Sequence, residues 1–120
     1  GAFNMAFYGC SSLTALPEGL FDQNANVSEI SQAFSHCTKL QQIPVSLFDH
    51  MRMLQTTNEM FFNCASLTGE SPYTVINGSK VHLYERQNYP SEFLKIDNHS
   101  NTYANCTGLS DYGSIPDEWK

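Results

Sequence analysis

Four cysteines are the residues of this chain with the most evident capacity for chemistry: Cys10, Cys37, Cys64 and Cys106. The first three are separated by 27 residues each. Zinc sites usually need paired ligands a few residues apart on one turn, so this spacing does not favour a metal. Equivalent positions in neighbouring repeats would give the side chains parallel directions, which is poor geometry for a disulfide. We expect a ladder of free, buried thiols that pack as small apolar side chains; a single disulfide or a metal site is the alternative.

The remaining reactive side chains form no catalytic pattern. The histidines are scattered and show no ligand spacing: His36, His50, His82 and His99. His82, Glu85 and Arg86 could begin a polar site, but the alternation along "KVHLYER" favours the solvent-exposed face of a strand. Asp22 and Asp49 recur at corners where aspartate satisfies turn backbone groups. We find no phosphate-binding glycine loop and no nucleophile elbow. The sequence therefore predicts no enzyme activity, no metal and no cofactor.

The 27-residue interval also separates apolar residues, so the cysteines belong to a longer repeated unit that positions them. It separates members of two series: Phe7, Phe34 and Phe61, and Leu13, Leu40 and Leu67. A degraded fourth copy, "YANCTGLSDYGSIPDEW", places Cys106 42 residues after Cys64. A fixed period of this size is typical of a solenoid, in which each unit buries its apolar face against its neighbours.

Within one repeat the pattern favours one strand and one helix. The short stretches "SLTALP" and "KLQQIP" predict parallel strands near residues 13–16 and 40–43, with a third near 67–69. In "NVSEISQAFSHC" the apolar residues fall at intervals of three, four and three, as on one face of a helix. Asn26 and Glu29 fit a helix N-cap with a capping box. We therefore predict an α/β fold, a leucine-rich-repeat-like right-handed solenoid of about four short coils.

The third repeat is interrupted by a hairpin signal. "TVINGSKVHLYER" contains two β-rich runs joined by Asn77-Gly78, a dipeptide that tolerates the positive φ angles of a tight turn. This pattern predicts a hairpin over residues 75–84. We accordingly divide the chain into leucine-rich-type repeats of 27 residues over 1–73, and a hairpin insertion with a variant last repeat over 74–120. The second part is expected to act as a C-terminal cap.

The repeated pattern "AFxxCxxLxxIPxxLFD" resembles the leucine-rich repeats of BspA-like surface proteins from Bacteroides and related bacteria. The resemblance covers residues 2–73 well and 103–119 loosely. The chain departs from the general leucine-rich consensus, because no Asn follows the strand leucines in the usual place. The resemblance implies an exported or surface-anchored interaction protein, and it brings no catalytic motif to map.

The net charge and the surface residues limit the classes of molecule that can be the partner. A net charge of −6 opposes binding to nucleic acid or anionic lipid, and no stretch is long enough to insert into a membrane. We expect a protein partner on the face formed by the residues between the strand positions: Thr14, Gln41, Gln42 and Thr68. The alternative is a carbohydrate-binding module that uses exposed aromatic residues of the cap: Tyr84, Tyr89 and Trp119.

The N-terminal end of the sequence gives one further expectation. "GAFNM" begins within a repeat, and no earlier repeat covers the apolar side chains of Phe3, Met5 and Phe7. Exposed apolar faces and unpaired edges invite pairing with another chain. The sequence therefore predicts self-association through the first coil; the alternative is that earlier repeats of a longer protein cover this face.

Overall fold

Consecutive tight turns make up most of this molecule, and regular elements are few. The computed structural model describes all 120 residues. Its two strands are β1 (Tyr73–Ile76) and β2 (Ser79–His82). Its three 3₁₀-helices are Leu83–Asn88, Tyr112–Ser114 and Asp117–Trp119. None of these helices is long and apolar enough to span a membrane.

Four stretches of eight residues, here called the turn segments, lie side by side: residues 2–9, 29–36, 56–63 and 98–105. Alternate N–H groups of one segment donate to alternate carbonyls of the next. Phe7 N–H donates to Ala33 O at 2.7 Å, and the equivalent bond from Phe34 to the third segment measures 2.9 Å. Four such bonds join each neighbouring pair, and isolated parallel bridges mark where the segments begin. Residues at equivalent positions of the repeat therefore lie next to one another in neighbouring segments.

Positive φ angles shape every turn segment. Two positions in each take the left-handed conformation, for example Gln32 (φ 56°) and His36 (φ 62°) in the second segment. Each is the third residue of a hydrogen-bonded turn, as shown by the bonds from Ala33 N–H to Ile30 O and from Cys37 N–H to Phe34 O. A positive φ at this position is the mark of a type II turn. The two turns aim the intervening N–H groups sideways at the next segment.

The predicted α/β leucine-rich-repeat-like right-handed solenoid is wrong. The chain has no α-helix, and its only named sheet is the antiparallel pair β1–β2. The expected helix with its Asn26 cap is replaced by the turns of residues 29–36, because left-handed residues at Gln32 and His36 cannot belong to a right-handed helix. Apolar spacing of three and four here arises from successive reversals of the backbone.

The predicted parallel strands near residues 13–16, 40–43 and 67–69 are also absent. These stretches are extended and are joined by only a few backbone hydrogen bonds, such as Gln41 N–H to Thr14 O at 2.8 Å and Thr68 N–H to Gln41 O at 2.9 Å. The pairing between the first two reaches one isolated bridge, Ala15 with Gln42. Pro17 and Pro44 follow directly and have no N–H with which to extend the ladder.

The hairpin turn at Asn77-Gly78 forms where the sequence predicts it. Its two central residues have φ angles of 50° and 83°, as a type I′ turn requires. The paired residues are 73–76 and 79–82, two positions earlier than predicted. The 3₁₀-helix over Leu83–Asn88 follows immediately and brings its first turn back against the core.

A column of aromatic rings runs through the core. Phe7, Phe34, Phe61 and Tyr103 stack in order, with centroid separations of 5.2, 5.3 and 5.7 Å and interplanar angles of 10° or less. Offset stacking of this kind adds to the free energy of burying the rings. The column joins the four turn segments into one apolar cluster, which also contains Leu83 and Trp119 from the last third of the chain. The proposed boundary at residue 73 stays a prediction.

Candidate functional site

An exposed line of uncharged side chains, here called the polar row, crosses one surface of the molecule: Thr14, Gln41, Gln42 and Thr68. Its backbone is fixed, because Gln41 and Gln42 both donate to Thr14 O and Thr68 donates to Gln41 O. The Thr68 hydroxyl adds a second bond to Gln41 O at 3.1 Å. Ser110, which is exposed, continues the line through its N–H bond to Gly69 O at 2.8 Å. The structure thus brings together all four residues of the predicted binding face.

The predicted aromatic patch is not brought together at the surface. Tyr84 is 9% exposed and Trp119 is 5% exposed, whereas Tyr89 is half-buried. Tyr84 and Trp119 line a small cavity of about 40 Å³ between the long 3₁₀-helix and the C-terminal residues. Trp119 also stacks on His99, with ring centroids 4.3 Å apart. Both rings serve as packing residues, so they offer no open platform to a sugar.

The cysteines occupy equivalent positions, one after each turn segment. Cys37, Cys64 and Cys106 are buried and Cys10 is half-buried, and all four are free. Each buried thiol donates to the carbonyl of the aromatic residue in the preceding segment: Cys37 to Phe7 O (3.1 Å), Cys64 to Phe34 O (3.0 Å) and Cys106 to Phe61 O (3.0 Å). Burial raises the pKa of the Cys64 thiol to about 12, and it also raises that of Cys37 and Cys106. Thiols held protonated in this way are poor nucleophiles and poor metal ligands.

Thiol reactivity provides a direct test of this arrangement. In the folded protein we expect one thiol, Cys10, to react readily with a neutral disulfide reagent, because the other three are buried and protonated. In denaturant without reductant all four should react. The count of rapidly reacting thiols before and after unfolding decides the matter. Two or more fast thiols in the folded state, or fewer than four in the unfolded state, would contradict it.

His82 lies in a cluster of carboxylates that the sequence did not reveal. Its Nδ1 is 2.5 Å from Glu85 Oε1 and its Nε2 is 2.7 Å from Glu70 Oε2, with Asp111 Oδ2 at 3.8 Å. The imidazole stacks on the Tyr84 ring, lies beside the tilted ring of Tyr73, and is only 12% exposed. The predicted solvent-exposed strand face is therefore wrong for this residue. Because both ring nitrogens are engaged by carboxylates, the imidazole has no free nitrogen to act as a general base on a substrate.

Asp111 connects this cluster to the residues on either side of the hairpin. Its carboxylate accepts from Ser71 N–H (2.9 Å), from the Ser71 hydroxyl (2.6 Å) and from the Tyr84 hydroxyl (3.0 Å). Burial alone would raise the pKa of Asp111, but these donors outweigh it and lower the pKa. For Glu70, contacts with Lys80 and His82 likewise outweigh burial and lower the pKa. Both carboxylates therefore stabilise the fold in their charged form.

Acid should weaken the fold through these two groups. A carboxylate with a lowered pKa in the folded state contributes stability above its unfolded pKa, near 4, and loses that contribution as the pH falls through the lower folded value. We expect the free energy of unfolding of the wild type to fall steeply below about pH 4. In Asp111→Asn this slope should be shallower, and stability at pH 7 should fall by about 1–3 kcal/mol. Urea titrations across the acid range measure both; an unchanged slope in the variant would refute the assignment.

Arg86 is buried, contrary to its predicted place on a solvated face. The side chain is 1% exposed, and its guanidinium donates to Met51 O (2.7 Å) and to Phe48 O (2.9 Å). The guanidinium carbon lies 4.3 Å from the centroid of the Phe93 ring. Burial lowers the pKa of Arg86 to about 10, so the group remains charged at neutral pH. Its role is to satisfy carbonyls of the loop that precedes the third turn segment.

Acidic residues at equivalent positions of two repeats border a solvent-open hollow of about 360 Å³ between residues 18–22 and 46–50. Asp49 accepts a hydrogen bond from the Thr74 hydroxyl at 2.7 Å, and His50 Nε2 lies 3.7 Å from Asp22 Oδ1. Nowhere in the chain do three or more His, Cys, Asp or Glu side chains converge as ligands for a metal ion.

Comparisons with protein-family models, with curated proteins and with solved structures find no significant match to this chain.

Proposed function

We propose that this chain is a non-enzymatic interaction module of an exported or surface protein of a bacterium, and that it binds a protein partner through the polar row. The observation that carries the proposal is the row itself. Thr14, Gln41 and Thr68 are exposed, and their backbones are held in line by direct hydrogen bonds. A pre-ordered surface loses little conformational entropy when it binds.

The chemistry of the row favours a protein over other partners. Its side chains are amides and hydroxyls, which both donate and accept hydrogen bonds and carry no net charge. The whole chain carries a net charge of −6, which opposes nucleic acids and anionic membranes. The carbohydrate-binding alternative relies on exposed aromatic residues of the cap, and Tyr84 and Trp119 are buried. The bacterial surface location rests on the resemblance of the repeated pattern to BspA-like proteins.

The polar row is tested by binding experiments with matched variants. A partner is isolated from the extracellular fraction on the immobilised chain, and its affinity is then measured with purified components. Replacing Gln41 and Thr68 together with Arg should weaken binding at least roughly tenfold, because two contact residues become bulky charges. The control replaces two exposed residues of the long 3₁₀-helix, Gln87 and Asn88, with Arg, and it should leave the affinity unchanged. Equal losses in both variants, or binding to a glycan array that the row variant does not affect, would overturn the proposal.

A further inference from the structure

The tip of the hairpin holds an asparagine followed by a glycine, and no other asparagine of the chain precedes a glycine. Asn77 and Gly78 are the two central residues of the turn, and both are exposed. The Asn77 carboxamide makes no hydrogen bond within the protein, and the Gly78 N–H donates to no acceptor there. Beyond the two adjacent residues, no atom lies within 4 Å of the place that a Cβ at position 78 would occupy. The rest of the protein therefore holds neither group in place.

These two groups can react with each other. After the Gly78 backbone nitrogen loses its proton to solvent, it adds to Asn77 Cγ, and the new bond closes a five-membered succinimide ring. The side-chain nitrogen leaves as ammonia. Water then opens the ring: attack at Cγ gives aspartate, and attack at the main-chain carbonyl carbon gives isoaspartate. One water is consumed and one ammonia is released, so the reaction needs no oxidant and no cofactor.

Asn63 has a similar backbone conformation and shows how the fold protects an asparagine. Its φ is 61°, against 50° for Asn77. Its carboxamide is held from both sides, because Nδ2 donates to His36 Nδ1 at 3.3 Å and Oδ1 accepts from Asn105 Nδ2 at 2.5 Å. The next backbone nitrogen belongs to Cys64, which is fully buried, and its N–H is hydrogen-bonded within the turn at 3.0 Å. Neither reacting group is free at this position.

Asn101 provides a closer comparison, because it shares the exposure of Asn77. It is exposed, its φ is 55°, and its carboxamide makes no hydrogen bond within the protein. The following residue is Thr102, which is buried and β-branched, and its N–H donates to His99 O at 3.4 Å. Glycine has no Cβ and lets its backbone approach other groups closely. The two asparagines therefore differ in the freedom of the attacking nitrogen.

We propose that Asn77 is a modification site, at which the folded protein slowly converts itself into aspartate and isoaspartate forms. Either product adds one negative charge to the chain's net −6. Isoaspartate also adds one carbon atom to the main chain, which a two-residue type I′ turn does not accommodate. The pair nearest the tip, Ile76 with Ser79, should open in that form. The base of the hairpin should stay closed, because His82 is tied to Glu70 at 2.7 Å.

The conversion is measured on the purified full chain, kept folded at neutral and mildly alkaline pH. Peptide mass mapping locates each site that has exchanged an amide for an acid, and an isoaspartate-specific methyltransferase labels the rearranged product. Conversion at Asn77 should exceed that at Asn101 by at least about tenfold, because ring closure at Asn101 must first break a hydrogen bond and move a buried residue. The rate at Asn77 should rise with pH, since the attacking nitrogen must first lose a proton.

Asn77→Gln is the matched variant. Gln32 already has a φ of 56° in this protein, so glutamine fits the conformation of the turn, but its longer side chain does not close the five-membered ring. After equal incubation, hydrogen exchange at Ser79 should be faster in the wild type and unchanged in Asn77→Gln. Equal conversion at Asn77 and Asn101 would overturn the proposal. Conversion at Asn77 that occurs only in denaturant would overturn it as well, because the folded turn would then keep the two groups apart.

Discussion

Replacing Arg86 with methionine should lower the free energy of unfolding by about 2–5 kcal/mol. Methionine fills most of the space but donates no hydrogen bond, so Met51 O would be left without a donor inside the core, and Phe48 O would keep only the bond from Met51 N–H at 3.0 Å. Each buried polar group left without a partner costs about 1–3 kcal/mol. Urea denaturation at neutral pH measures the change. The free energy of unfolding of Arg86→Lys should lie between that of the wild type and that of Arg86→Met, because an ammonium group can reach one carbonyl.

Arg52 provides the matched control for this prediction. Its guanidinium also lies over the Phe93 ring, at 5.3 Å, and its Nε donates to Asp49 O at 3.2 Å, but the side chain is 41% exposed and pairs with Glu92 at 2.8 Å. Exposed ion pairs contribute about 1 kcal/mol or less, so Arg52→Met should cost no more than that. Equal losses in Arg52→Met and Arg86→Met would show that the buried carbonyl bonds of Arg86 add nothing beyond the contacts that both arginines make.

Truncating the aromatic column at its centre should be comparably damaging. Phe61 is fully buried between Phe34 and Tyr103, so Phe61→Ala should cost about 3–5 kcal/mol through lost burial and the cavity it leaves. Phe7 occupies the equivalent position at the end of the column, where it is half-buried and stacked on one side. Phe7→Ala should therefore cost only about 1–2 kcal/mol.

Comparing Phe7→Ala with Phe61→Ala separates the effect of position in the aromatic column from the effect of residue type. Both variants remove the same atoms from the same place in the repeat. The difference between their denaturation midpoints therefore reports the contribution of the second stacked ring, which Phe61 has and Phe7 lacks. A Phe7→Ala loss as large as that of Phe61→Ala would mean that the first segment is covered on its outer side in solution. Measuring at several protein concentrations shows whether another copy provides that cover.

The sequence predicted which residues meet, but it did not predict the backbone that makes them meet. Equal spacing of Phe34 and Phe61 shows that they occupy equivalent places, and the hairpin follows from Asn77-Gly78. The helix prediction failed because apolar spacing of three and four fits a helix and a pair of reversed turns equally well. The left-handed positions distinguish them. Gly9 and Asn63 signal such turns, whereas Gln32 in the same role gives no such indication.

Charged residues of the insertion were the least predictable. In "KVHLYER" nothing local shows that Arg86 reaches carbonyls 35 and 38 residues earlier, or that His82 meets Asp111. A polar run beside a turn is ordinarily solvated, and the exceptions depend on unmet acceptors elsewhere in the fold. The polar row was predictable, because its members need only be neighbours in the repeat and point outward.

The contact between the third and fourth turn segments spans 42 residues of chain, and yet it makes the same four backbone bonds as the contacts that span 27. The stacking geometry therefore depends on the eight residues of each segment and not on the length of the connection. The connections are accordingly sites where the chain tolerates insertion. A reporter peptide or an epitope placed after the Asn77-Gly78 turn should leave the aromatic column intact, which makes this small protein a scaffold for displayed loops.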